Sequence, residues 1–423
     1  MVRIKIHTSK IFQGDRVIWS IFIFMCLASL LIVTSSTASM TYVKYGGDWT
    51  VKFFEHFVHL LFGFGAMLVF QAVPMSWWRK WSPTIFMITL CLLVFISVSG
   101  AVINSAARWG ILPFINKSFQ PSYIAKVVLV MVLAIQLSER QKYIADRPLL
   151  PSLNPQRWAT DKDKERNLKI LIKTTLPILG PVAAVCVLIV FSNLSTALMI
   201  YLCSVIMLYV GRIKLKEICK LLAVTALAGV LLFGVMAVAG VGRVETWGNR
   251  LKGFFEKDKT EMVVEGKKRP MTNLENQEFQ AKVAVASGGV LGKGPGNSTQ
   301  RSNLPLAYAD FAYAFIVEEY GLVGSVIVLL AFLIIFYRCM IIARHSKSAF
   351  NGLTAFGLGL TILIQAMVNM CVSVSLMPVT GQSLPILSLG GTSLLFTGIS
   401  FGIIQSVARQ NDLDRIEAEN ANQ

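Results

Sequence analysis

Apolar stretches, each near the roughly twenty residues that span a bilayer's hydrocarbon core, alternate with short polar joints along this chain. They cover about residues 17–33, 54–73, 85–103, 123–137, 170–191, 194–210, 221–241, 311–337, 353–376 and 388–407. A lipid-embedded backbone must satisfy its own polar groups, so each such run predicts a helix. The pattern predicts an all-α polytopic membrane protein of about ten transmembrane helices. The first run follows a basic segment and ends near Ser35, Ser36, Thr37 and Ala38, as a cleavable signal peptide would. It is longer than the usual core of such a peptide, which favours a retained first helix.

The joints set the topology. Arg79, Lys80, the 140–169 stretch, Arg212, Lys214, Lys216, Lys220, Arg338, Arg344 and Lys347 all fall on one side. Basic short loops stay in the cytoplasm, so that side is cytoplasmic and both termini lie there. One membrane domain is expected over 1–423, with a cytoplasmic loop at 138–169 and a cytoplasmic tail at 410–423. The loop mixes prolines with both charge signs from Pro148 onward and reads as mobile. One long extracytoplasmic loop, about 242–309, lies opposite. It is basic although long loops are exempt from the charge rule, and an anionic substrate headgroup would explain that.

Composition excludes a soluble domain: 54% of residues are hydrophobic, 15% are charged, and mean hydropathy is +0.61. The formal net charge of +17 bears on which surfaces and substrates the chain meets, and no nucleic-acid partner is expected. None of the seven cysteines falls in an outer loop, which removes an extracellular disulfide framework and leaves them as packing residues.

The chemistry-bearing residues gather near the long outer segment. Asp310 stands where loop becomes helix, and Glu318 and Glu319 lie deeper in the same apolar run. A charged residue in a bilayer costs about 2.5–3.5 kcal/mol on insertion scales, so helices keep them mainly for function or for internal pairing. The run Gly292-Lys293-Gly294-Pro295-Gly296 invites a nucleotide-loop reading, but glycine follows the lysine where Ser or Thr is needed. Its backbone amides could still cradle a phosphate, or form a plain turn. His56 and His59, three residues apart, could form a metal pair, although no third ligand accompanies them and packing is the simpler use. Arg108, in Asn104-Ser105-Ala106-Ala107-Arg108-Trp109, carries a planar fork suited to phosphate. An interfacial snorkelling arginine would look the same. Gln120, Pro121 and Ser122 lead into the fourth run, with Lys126 about one turn inside.

The stretch GGVLGKGPGNSTQRSNLPLAYADFAYAFIVEEYGLVG (288–324) resembles the signature of the SEDS family of peptidoglycan glycosyltransferases, which includes FtsW, RodA and SpoVE. The resemblance extends to Gly14-Asp15, to NSAARW, to Gln120-Pro121-Ser122, and to Met377-Pro378-Val379-Thr380-Gly381 continuing through Ser388, Gly390 and Gly391, with Asn369 before it. Ser105 stands where the family pattern has a glycine, and two further departures each remove a charge: Tyr123 replaces a glutamate one turn before Lys126, and Asn193 replaces an aspartate.

The resemblance implies an enzyme that polymerises lipid II into glycan strands at the outer face of the bacterial cytoplasmic membrane. The glycine loop and the EEYG ending resemble the FtsW branch, which acts at the division septum, more than the RodA elongation branch. Asp310 is then the catalytic residue. Arg108, Gln120, Ser122, Lys126, Lys293, Glu318, Glu319, Ser388, Gly390 and Gly391 are the implied substrate-binding set. No cofactor is firmly implied. A divalent cation, Mg or Mn, could be held by a second carboxylate near Asp310, for which Glu318 has the better helical phase. The implied partners are lipid II, undecaprenyl pyrophosphate, a class B penicillin-binding transpeptidase of the FtsI type and other divisome membrane proteins. A lipid II flippase or a non-catalytic scaffold would use the same intramembrane carboxylates.

Overall fold

The computed structural model describes residues 12–45, 48–99, 101–103, 106–111, 118–146, 148–152, 161–239, 248, 273–300 and 310–421. Helix dominates, as the apolar pattern predicts. In chain order the helices are α1 (Arg16–Tyr45), α2 (Thr50–Ala72), α3 (Met75–Ser99), α4 (Ser122–Asp146), α5 (Asp161–Ile170), α6 (Leu176–Val190), α7 (Leu194–Val210), α8 (Leu215–Ala239), α9 (Asn273–Gly288), α10 (Ala312–His345), α11 (Ala349–Ser373) and α12 (Gly391–Ala421). Among the described residues, nine helical stretches are long and apolar enough to cross a membrane. The remaining apolar run, 194–210, forms α7, a shorter helix of 17 residues.

Between α3 and α4 the chain forms a small antiparallel sheet of β1 (Ala101–Ile103), β2 (Ala106–Ile111) and β3 (Ser118–Phe119), in the order β1-β2-β3. Val102 pairs with Ala107 and Ile111 with Ser118.

The described residues divide into two compact units. One contains the described residues within Met1–Ala72, Glu245–Arg338 and Ile362–Arg409; the other contains those within Val73–Val244, Cys339–Thr361 and Gln410–Gln423.

In the first unit, Asp15 opens α1 and does more than cap it. Its Oδ1 accepts from the N–H of Val17 (2.9 Å) and Ile18 (3.0 Å), and its Oδ2 accepts from Arg338 (2.9 and 2.5 Å). Gln405 of α12 exchanges two hydrogen bonds with the Asp15 backbone, and Arg409 reaches the carbonyl of Ala72 at the end of α2. One end of α1, α2, α10 and α12 is thus tied into a single polar cluster.

In the second unit, α4 is the buried centre, packed by α3, α6 and α7. The segment expected to be a mobile loop at 148–169 is, where described, ordered by contacts. Leu149 N–H donates to Glu217 (3.2 Å), Ser152 N–H to Asn167 (3.2 Å), and Thr175 to the Leu149 carbonyl (2.6 Å). From Asp161 the chain is already helical. Asp161 and Asp163 stand in the first turn, where carboxylates oppose the helix dipole. The helix runs into α6 through a π turn at Leu171–Thr175, where the Leu176 N–H reaches back to the Leu171 carbonyl. Pro177 follows directly, and its missing N–H and bulky ring favour such a local widening.

Candidate active site

Asp310 immediately precedes Phe311, and Phe311 is locked. With Ala281 and Ala284 of α9, Ala314 of α10 and Val372 of α11 it forms a buried apolar cluster. The two alanines, three apart on one helix face, let α9 approach closely. The Asp310 carbonyl accepts from the Asn369 side chain (3.0 Å), and the same amide donates to the Gln382 carbonyl (2.7 Å). Asn369 therefore binds the catalytic candidate to the non-helical segment 374–390. Gly381 lies beside Asp310 at φ 65°, a backbone conformation that favours glycine; a Cβ there would only touch Asp310 Oδ2, at 3.8 Å.

That irregular segment is supported by side chains rather than by its own ladder. Gln365 donates to the Ser383 carbonyl (2.9 Å), Ser29 of α1 to the Ile386 carbonyl (2.6 Å), and Ser388 to the Leu384 carbonyl (2.7 Å). Such backbone is tolerated at membrane depth only when it is satisfied this way. Ser388 is thus committed to its own turn. Gly390 starts α12 by accepting from the Leu394 N–H (2.9 Å), and Gly391 lies against the ring of His59. His56, the other half of the supposed metal pair, uses Nε2 on Ser29 (2.8 Å).

The carboxylates of α10 are placed unlike the sequence expectation. Glu318 is fully buried. Its oxygens accept from Lys293 Nζ (2.8 Å), Ser298 Oγ (2.5 Å), Thr299 Oγ1 (2.8 Å) and the Thr299 N–H (3.0 Å). A carboxylate saturated in this way is not left to share a cation with Asp310, which corrects that expectation. Lys293 likewise spends its ammonium on Glu318 and Thr299 (2.8 Å), in place of a free phosphate grip. Glu319, also buried, accepts from Ser35 of α1. Ser29, Ser35, Ser298 and Thr299 were not among the site candidates read from sequence; the small hydroxyls beside Asn297 were the one available sign of a hydrogen-bonded loop.

The glycine loop also bonds to α10 through backbone. Lys293 and Gly294 N–H groups donate to the carbonyls of Glu318 (3.0 Å) and Glu319 (2.9 Å). Leu322 and Val323 N–H groups donate to Gly289 (3.0 Å) and Val290 (3.2 Å). The exchange is possible because α10 is broken at Gly321, whose φ of 67° and ψ of −163° are non-helical.

In the second unit, Lys126 is 6% exposed, and its ammonium lies over the Tyr123 ring, 5.0 Å from the centroid. Gln120 and Ser122 line a small recess with Ser97, Ser192 and Asn193. Asn193 caps α7 by accepting from the Thr196 N–H (3.2 Å), and its amide nitrogen has no partner among the described residues. Arg108 falls on β2; its side chain, and Asn104 and Ser105, lie outside the described residues. Among the described residues no three His, Cys, Asp or Glu side chains gather into a metal site.

Residues 15–413 match the family profile described as "Cell cycle protein", FtsW/RodA/SpoVE. The chain belongs to this family. Curated relatives named "Probable peptidoglycan glycosyltransferase FtsW" include one from Haemophilus influenzae, 27% identical over 95% of this chain and 92% of the relative. Another, from Saccharophagus degradans, is 30% identical over 92% and 90%. Among solved structures, the fold is similar to a chain of a peptidoglycan synthase complex that coordinates polymerization and crosslinking (TM-score 0.60, 23% identity, 94% of this chain and 98% of that one). It is also similar to the rod-shape-determining RodA of Thermus thermophilus (TM-score 0.57, 21% identity, 94% and 97%).

Family membership gives the two departures a physical meaning. Where the family pattern pairs a glutamate with the lysine one turn on, this chain offers an aromatic face. A desolvated cation–π contact contributes about 2 kcal/mol. Tyr123→Phe is expected to keep activity and melting temperature, because the ring remains. Tyr123→Leu should lower both, whereas Tyr123→Glu, which restores the family pair, should be tolerated. Equal melting of the Phe and Leu variants would leave the ring without a role. At position 193 the capping oxygen survives the loss of charge, since an amide carbonyl caps as a carboxylate does.

Proposed function

We propose that this chain is a peptidoglycan glycosyltransferase that polymerises lipid II at the outer face of the bacterial cytoplasmic membrane, serving septal synthesis in division. The observation that carries it is the match to FtsW relatives along almost the whole chain, with Asp310 at the loop-to-helix junction. In this reading Asp310 is the general base. It takes the proton from the acceptor sugar's 4-hydroxyl as that oxygen bonds to the donor's anomeric carbon. The bond to undecaprenyl pyrophosphate breaks in the same displacement, which inverts the anomeric centre. Such a base contributes about 10²–10⁴-fold.

Arg108 and Lys126 are the proposed partners of the leaving pyrophosphate, with Gln120 and Ser122 near the sugar. Lys293 and Glu318 serve by holding the glycine loop on α10. Both termini are proposed to be cytoplasmic and 242–309 outside, with crosslinking left to a class B transpeptidase. Asn297, exposed beside Lys293, tests the sidedness. Asn297→Cys should react with a membrane-impermeant maleimide in right-side-out vesicles, and Cys219 should not. The reverse pattern would overturn the orientation. Ser298, being buried against Glu318, is the wrong reporter.

A broken helix also suits a transporter, and that feature keeps the flippase as the rival. Purified protein in liposomes with lipid II as the only addition separates them. Glycan strands on a denaturing gel support polymerisation; translocation of labelled lipid II without polymer would replace it with transport.

A further inference from the structure

We infer that the tip of the glycine loop, Val290 and Leu291, is immersed in the acyl-chain layer of the bilayer, so that this stretch is a lipid-facing strap. The argument is one of depth. The polar cluster of Asp15, Arg338, Arg409 and the end of α2 marks one edge of the hydrocarbon. Two helices serve as rulers from it. Position 35 on α1 lies 20 residues from position 15, or about 30 Å away at about 1.5 Å per residue, and Ser35 touches Glu319. On α10, Leu322, the first residue past the break, lies 16 residues from 338, or about 24 Å away. The α1 distance matches a hydrocarbon core of about 30 Å. The sequence of α1 marks the same edge, since its apolar run ends at Val33 and Thr34-Ser35-Ser36-Thr37 follow.

The strap reaches below this edge. Lys293 and Gly294 bond to 318 and 319, at the edge itself. Gly289 and Val290 bond to Leu322 and Val323, which lie 16 and 15 residues from 338 and so about 6–8 Å inside that edge. The side chains there are apolar and open: Val290 is 64% exposed and Leu291 79%. They continue a face of α10 on which Leu322, Val323, Val326, Ile327 and Leu330 are also exposed. That face, at i, i+1, i+4, i+5 and i+8, is the one a membrane helix turns to lipid. The cost of bringing non-helical backbone to this depth is met by the four backbone hydrogen bonds to α10. An aqueous loop would have no reason to present its two largest apolar side chains at the level of that face.

The strap explains the charge placement as well. Lys293 comes out at the hydrocarbon edge, where its ammonium meets Glu318, and the polar Asn297 lies beyond it.

The test uses the full chain, purified and reconstituted alone in phosphatidylcholine liposomes, so that no partner protein can cover the loop. Val290→Cys, Leu291→Cys and Asn297→Cys are made with the seven native cysteines replaced. A charged maleimide is introduced on both faces by freeze–thaw, which makes the result independent of orientation and of polymerase activity. Position 297 should label readily, and 290 and 291 an order of magnitude more slowly, with all three equal after denaturation in SDS. Labelling of 290 and 291 at the rate of 297 in liposomes overturns the inference. So does silence at all three, which would mean the whole loop is covered.

Discussion

Asp310→Asn protein is expected to insert, to purify as a monodisperse membrane protein, and to make no detectable glycan. The substitution keeps the size of the side chain and leaves the backbone carbonyl on Asn369 intact, so the apolar cluster around Phe311 should hold. What it removes is a group that can accept a proton. Losing a general base costs about 10²–10⁴-fold, enough to take the rate below the limit of a gel assay. The measurement is polymer yield from lipid II beside a melting curve. Near wild-type polymer would remove Asp310 as the base and favour the scaffold reading.

Gly321→Val should be the most damaging substitution to the fold outside the apolar core. The residue combines positive φ with an extended ψ, a region open essentially to glycine alone. Holding another residue there costs about 1–3 kcal/mol. A side chain would also run into the Val290 carbonyl and the Gly292 N–H, and forcing atoms into filled space adds about 1–3 kcal/mol. Backbone cannot move aside as a long side chain would. The variant should lose most of its monodisperse yield, and Gly292→Val should behave alike, because its Cβ would meet the Glu319 carbonyl. Gly229 on α8 has open space around it, so Gly229→Val is the matched control. A melting curve for Gly321→Val that overlays that control would mean that the strap is not fastened to the break.

Much of the architecture could be read directly, and for an identifiable reason. Apolar length and periodicity act locally, and a bilayer leaves the backbone little choice but to close its own hydrogen bonds as helix. The extra helix at 161–169 escaped because its pattern is polar, and residues 149–152 before it are held by Glu217 and Asn167, contacts a window of sequence does not contain. Asp310 was legible because its neighbours form a long motif. Glu318 was assigned a cation by helical phase, and phase assumed a continuous helix. That phase says nothing of the glycine loop, which folds back on α10 and brings Lys293, 25 residues earlier in the chain, onto the carboxylate.

The sequence by itself determined which stretches enter the membrane, where the polar joints fall, and that one acid stands at a loop-to-helix junction. These are properties of neighbours, fixed by transfer free energy and chain geometry over a turn or a span. The tertiary structure alone decided which charge meets which. It set Lys293 on Glu318, Asp15 on Arg338, and the glycine loop on a broken helix. Electrostatic and hydrogen-bond energies depend on distances of a few ångströms in space, and separation along the chain does not fix those distances.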